Sequence, residues 1–184
     1  MGEYILTEVE RMKKKINAWE VEQQINYIDN FMAEIQSTTL KDALLEFVIT
    51  FSVFENIFGT IKLSENPFEK LDNSFADTPY QFFRDRYIND GKLANNYKKT
   101  LWQIGFQEDG IAREITPLLK KQDASGAEKS KVVYHIGYRF RNNLFHGNKG
   151  KEPFRLAEYE ECFVQITKFM KSLMKSLTEG LNES

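Results

Sequence analysis

Cysteine is nearly absent from this 184-residue chain, Cys162 being the only one. An intrachain disulfide is thereby excluded, and the usage suits a reducing compartment. Histidine is as scarce. His135 and His146 stand eleven positions apart, with no His-Glu-x-x-His or paired-Asp motif, so no metal site is expected and no cofactor either. A glycine-rich phosphate loop is also missing. Neither sign of charge dominates, with 25 Lys and Arg against 27 Asp and Glu. No chain-wide positive field would therefore gather nucleic acid, and any RNA contact must be local. The strongest apolar run, Phe47 to Phe54 between Glu46 and Glu55, is far below the roughly 20 residues that cross a bilayer. Met1 to Glu10 carries Glu3, Glu8 and Glu10 where a secretory signal has a basic start and an apolar stretch. A cytoplasmic protein without a membrane span is expected.

What is present is aromatic and helical. Phe 15, Tyr 8 and Trp 2 within a 41% hydrophobic composition supply one sizeable core, and the length suits a single domain. Apolar residues recur at helical spacing and clean two-residue alternation is missing, which places the chain in the all-α class. Ile5, Val9, Met12, Ile16 and Trp19, then Ile25, Ile28, Met32 and Ile35, trace an amphipathic hairpin or long bent helix over residues 1–37. This is expected to be an N-terminal extension packed on a helical domain at 38–178, with a flexible tail at 179–184.

Thr38 and Thr39 offer an N-cap for a helix from about Leu40 to Phe58, closed by Gly59 in a left-handed conformation. Its nearly all-round apolar character predicts a central, buried helix. Thr60 to Thr78 reads as an irregular connection with one short helical turn. Thr78 and Pro79 open a helix ending near Gly91, and another is expected from about Lys92 to Gly105. Glu108 to Ser130 reads as a partly helical arm ending in a mobile loop. A helix from about Lys131 to His146 stops at Gly147, and Pro153 opens a last helix to about Leu177. Cys162, between Tyr159 and Phe163 in that helix's apolar rhythm, is expected in the core.

On a helical wheel the Lys131 to His146 segment sorts into two surfaces. Val133, Ile136, Gly137, Phe140 and Leu144 face the core. Tyr134, His135, Tyr138, Arg141, Asn142, Phe145 and His146 share a broad opposite face that is aromatic and basic. Such rings need cover. Either a symmetric dimer through this face or the Glu108 to Ser130 arm of the same chain provides it. Asn142 and His146 stack four apart, while Arg141, rotated away, is long enough to bend toward a shared pocket. A guanidinium with forked donors, an imidazole that moves protons near neutral pH and an orienting amide are the parts phosphodiester cleavage uses.

Arg141-Asn142-Asn143-Leu144-Phe145-His146 followed by Gly147 resembles the Arg-polar-x(3 to 5)-His signature of the HEPN superfamily, in its Apea-like flavour. The resemblance spans roughly Leu40 to Leu177. It implies a HEPN-like helical bundle and a metal-independent endoribonuclease, in which the RNA 2′-hydroxyl attacks the adjacent phosphate. On that reading His146 transfers the proton, Arg141 stabilises transition-state charge and Asn142 positions them, with Asn143 as support. It also implies a homodimer through the motif helices, RNA as partner, a possible antitoxin or regulatory protein, and a role in toxicity or defence against foreign genetic elements. The alternatives are a non-catalytic HEPN module that binds RNA, a nucleotide or a partner protein, and a structural helical adaptor.

Glu55 falls in the last turn of the Leu40 to Phe58 helix, where the dipole disfavours a carboxylate, so a cationic partner is expected. Arg141 or Arg139 is one candidate and an unrelated lysine the other. Lys149, beyond the motif, and Arg139 are expected to guide RNA phosphates, whereas Arg84 and Arg86 read as solvated surface.

Overall fold

The structure, a computed structural model, describes residues 38–61, 67–94, 110–146 and 156–182. At 110–112, 143, 145–146, 156–157 and 180–182 the description is of the backbone. Five α-helices fall within it: α1 Thr38–Phe58, α2 Asp77–Tyr87, α3 Gly110–Lys120, α4 Gly126–His146 and α5 Glu160–Asn182. Short 3-10 turns at Pro67–Lys70, Ser74–Ala76 and Leu156–Tyr159 join them. The all-α class is as expected, and the strand pairing among the described residues is one two-residue ribbon.

The most extensive helix pairing joins α1 and α5. Thr39 donates to Glu160 at one end (3.2 Å) and Glu46 pairs with Lys171 further along both, so the two helices run the same way. Phe47, Phe51 and Phe54 of α1 and Phe163, Ile166 and Phe169 of α5 belong to one core, all at most 1% exposed. Phe163 anchors this layer, its ring 5.1 Å from Phe47 and 5.7 Å from Phe140 of α4. The contact depends on Gly137. A Cβ there would lie 2.7 Å from Ile166 Cγ2 and 3.1 Å from Phe51 Cζ, so only glycine lets α4 approach α1 and α5 this closely. Cys162 is fully buried in the same core, as expected, and burial pushes its thiol up to about 12, which leaves it an unreactive packing group at neutral pH.

Several local expectations hold. Gly59 adopts φ +72° and its N–H closes the last turn of α1 on the Glu55 carbonyl at 3.0 Å. Pro79 lies in the first turn of α2, where its missing N–H costs nothing.

Others are corrected. α2 begins at Asp77, directly after a 3-10 turn, so Thr78 lies inside the helix and does not cap it. α2 ends at Tyr87, not near Gly91. Ile88–Asn89 then pairs antiparallel with Lys92–Leu93, so the helix expected to start at Lys92 starts as a strand. Asp90 and Gly91 both take positive φ (49° and 71°), the conformation that matches a tight turn to strand twist. α4 begins at Gly126, five residues early, because Ser125 and Glu128 cap it reciprocally. The Ser125 N–H donates to Glu128 Oε2 (2.9 Å) and the Glu128 N–H to Ser125 Oγ (3.3 Å). α5 runs to Asn182, so 179–182, expected as tail, are helical. The extension at 1–37 and the region of Pro153 lie outside the described residues.

α1 differs most from expectation. It is buried on one side only. Leu45, Ile49, Val53 and Ile57 stand 54%, 53%, 42% and 61% exposed, one residue per turn along a single row. Among the described residues no helix is long and apolar enough to cross a membrane.

Candidate active site

The expected site residues lie at the C-terminal end of α4 and the facing end of α1. Arg141 reaches across to Glu55, with Nη2 donating to Oε2 at 2.8 Å and Nε donating to the same oxygen at 3.2 Å. Of the partners open to Glu55, the structure selects Arg141. Both side chains are about a quarter exposed or less, 25% for Arg141 and 21% for Glu55, so the pair sits at the edge of the core where a solute can reach it. The other arm of the guanidinium, Nη1, donates to Asn142 Oδ1 at 3.1 Å. Arg141 is thus oriented from two directions, by a carboxylate on α1 and by an amide on its own helix. A cation on Glu55 also answers the charge conflict at the end of α1.

Helical geometry places position 146 one turn beyond Asn142 on the same row, which continues back through Arg139 and His135. Asn142 therefore belongs to the row that ends at His146 and links Arg141 to it. The backbone of α4 extends through Asn143 and His146; the side chains of both, and all of Lys149, lie outside the described residues. Arg139 is turned about 160° from Arg141, so the structure does not bring the two arginines together. Burial pulls the Arg139 pKa down to about 10, which still leaves it cationic at neutral pH.

The aromatic face of α4 is covered from within the chain. Tyr134 is fully buried, its ring against Phe54 and Phe68 at 5.7 and 6.1 Å, and its hydroxyl accepts the Ile61 N–H at 3.0 Å. Tyr138 stacks on it. His135, 3% exposed, feels the charges of both Lys131 and Glu114, which pair with each other at 2.9 Å. Neither of the two covers weighed for these rings is the one found at Tyr134: Phe54, Phe68 and Ile61 bury it, not the Glu108 to Ser130 arm, and Tyr134 and His135, both buried, cannot build a dimer face. Among the described residues neither His135 nitrogen has a hydrogen-bond partner. Burial, with Lys131 adding to it and Glu114 opposing, lowers its pKa to about 4. It is a neutral packing group.

Arg86, expected as solvated surface, is half-buried. It donates from Nη2 to the Glu158 carbonyl (2.8 Å) and lies over the Tyr159 ring at 5.5 Å, tying α2 to the start of α5. Among the described residues no group of three or more His, Cys, Asp and Glu could hold a metal ion. Sequence reasoning missed the solvent-facing row on α1. Its signal was the interleaving of Asp42, Glu46, Ser52 and Asn56 with the four aliphatic residues. No family model, curated protein or solved structure matches the chain.

Proposed function

We propose that this protein is a metal-independent endoribonuclease of the HEPN kind, with Arg141 and His146 as its catalytic pair. The observation that carries the reading is the doubly oriented Arg141 guanidinium, held by Glu55 and Asn142 one helical turn from position 146. A fixed, forked cation a quarter exposed near a helix end is what a phosphate in transfer needs, because its donors are aimed before charge develops. On this reading His146 takes the proton of the RNA 2′-hydroxyl as that oxygen attacks phosphorus. The P–O5′ bond breaks, the 5′-oxygen leaves with a proton returned to it, and a cyclic phosphate remains. Arg141 stabilises the added negative charge, Asn142 positions the pair, and Lys149 and Arg139 guide the strand. The biological setting that fits is a toxin or a defence component that attacks RNA.

A second reading draws on the same geometry. Glu55 neutralises Arg141, which suits a catalytically silent module that binds RNA, a nucleotide or a partner protein. The experiment that separates them incubates purified protein with mixed RNA and a chelator, comparing the native chain with Arg141→Ala and His146→Ala. Cutting by the native chain and its loss in both folded variants supports the nuclease. An uncut RNA with nucleotide binding retained supports the module.

A further inference from the structure

We infer that the outer face of the Tyr138 ring is a stacking platform for one base of an RNA strand whose neighbouring phosphate lies on Arg141. The identity of the strand rests on the ribonuclease reading; the platform itself rests on ring geometry.

Phe58, Phe54, Tyr134 and Tyr138 touch in series, with ring centroids 5.3, 5.7 and 6.3 Å apart. The two middle rings are fully buried, whereas Phe58 and Tyr138, at the ends of the series, are half-buried. Tyr138 lies nearly parallel to Tyr134, at 13°, so one of its faces is held on a buried ring and the other looks away from it. Such a stack fixes the plane of the outer ring before a ligand arrives and spares the entropy that a freely rotating ring would lose.

Tyr138 stands three residues before Arg141 on α4, which sets their Cβ atoms about 5–6 Å apart on neighbouring turns. Helical side chains lean toward the N-terminus, so the Arg141 stem runs back toward the turn that bears Tyr138. In chain order α4 thus offers a buried tyrosine, a half-buried tyrosine and a cation held by Glu55 and Asn142. A nucleotide has the matching parts, a flat π-face joined through a sugar to an anion. Aromatic rings beside phosphate-binding cations are how unpaired strands are held, since a paired base keeps its faces within its own helix. Charge decides between the two half-buried rings. Phe58 stands three residues beyond Glu55, on the carboxylate side of the ion pair, while Tyr138 is on the arginine side. For packing alone, a leucine at position 138 would serve as well.

The test is binding of the full chain, by fluorescence anisotropy at low salt, to two strands of about ten nucleotides, within the span of a single-strand site. One is oligodeoxyadenylate and the other the abasic sugar-phosphate of the same length. Neither carries a 2′-hydroxyl, so neither is cut on the ribonuclease reading. The native protein should prefer the strand with bases by about tenfold, the size of one base–aromatic stack. Tyr138→Leu should bind both strands alike, Tyr138→Phe should restore the preference, and Arg141→Ala should weaken both strands by the same factor. Native protein that binds neither strand, or both equally, overturns the inference. So does a Tyr138→Leu variant, folded by circular dichroism, that keeps the preference; should that variant unfold, Tyr138→Met decides in its place. On RNA that is cut, Tyr138→Leu should raise KM about tenfold at near-native kcat, and a fall in kcat at native KM overturns the stacking role. RNA left uncut with the base preference intact removes the nuclease and leaves the platform, and cutting without base preference does the reverse.

Discussion

Replacing His135 by leucine should stabilise the protein and remove much of its sensitivity to mild acid. The imidazole is 3% exposed, its two nitrogens have no hydrogen-bond partner among the described residues, and burial lowers its pKa from 6.5 to about 4. In the unfolded chain the same group takes up a proton near 6.5, so between 6.5 and 4 the unfolded state binds more protons than the folded one. Stability is therefore complete above about 6.5 and falls as the pH drops through that window. A shift of this size, at about 1.4 kcal/mol per unit, amounts to roughly 3 kcal/mol lost by pH 4. At pH 7 the substitution removes a buried polar group without partners, a gain of about 1 kcal/mol after allowing for imperfect packing of leucine beside the Tyr134 ring. Urea denaturation of both proteins at several values from pH 7 to pH 4 measures the two effects together. The difference between native and His135→Leu should widen steadily toward acid. Parallel curves, or a His135 imidazole that titrates near 6.5 by NMR in the folded protein, would refute the reasoning.

Three other substitutions test the packing and the site. Gly137→Ala should destabilise by about 1 kcal/mol, because overpacking of about 2 kcal/mol outweighs a helix-propensity gain of about 1. Combined with Ile166→Ala, which removes the methyl 2.7 Å away, the total loss in denaturant melts should be less than the sum of the singles. Asn73→Ala should cost about 2–3 kcal/mol in the same assay. The Asn73 amide donates to the Phe68 and Leu71 carbonyls and accepts from Ser130 Oγ in a buried setting, so its loss leaves those groups unpaired. Glu55→Gln should cost only about 1 kcal/mol, since its ion pair with Arg141 is partly solvated. It should slow RNA cutting more than it destabilises, with the rate and the melt read on one preparation.

The residues made some features legible and hid others for physical reasons. Gly59 announced a left-handed helix end because no other residue takes positive φ so cheaply, and the structure has it at +72°. The partner of Glu55 could be narrowed but not chosen, since a long guanidinium and a flexible lysine reach similar volumes. Only the packing of α4 on α1 decides for Arg141. Asp90-Gly91 and the Ser125 to Glu128 box were both present as local signals, but the first reads equally as a junction between two helices and the second is masked by a longer polar stretch that reads as loop. The half-exposure of α1 was harder. Phenylalanines on one side and aliphatic residues on the other give the same apolar composition, and only the sparse Asp42, Glu46, Ser52 and Asn56 mark the solvent side. The cover over Tyr134 comes from Phe54, Phe68 and Ile61, contacts between distant segments that no periodicity encodes. The Arg141–Asn142 contact, by contrast, joins neighbours in sequence and was open to inference from spacing.

The most direct test of the central claim compares one RNA oligonucleotide with its 2′-deoxy and 2′-O-methyl counterparts, incubated with the full chain and excess chelator, with products identified by mass spectrometry. The account predicts that only the RNA is cut, that the upstream fragment ends in a cyclic phosphate and the downstream one in a free 5′-hydroxyl, and that Arg141→Ala abolishes both fragments. Cleavage of the 2′-blocked strands, or native-like cutting by the folded Arg141→Ala variant, would contradict it.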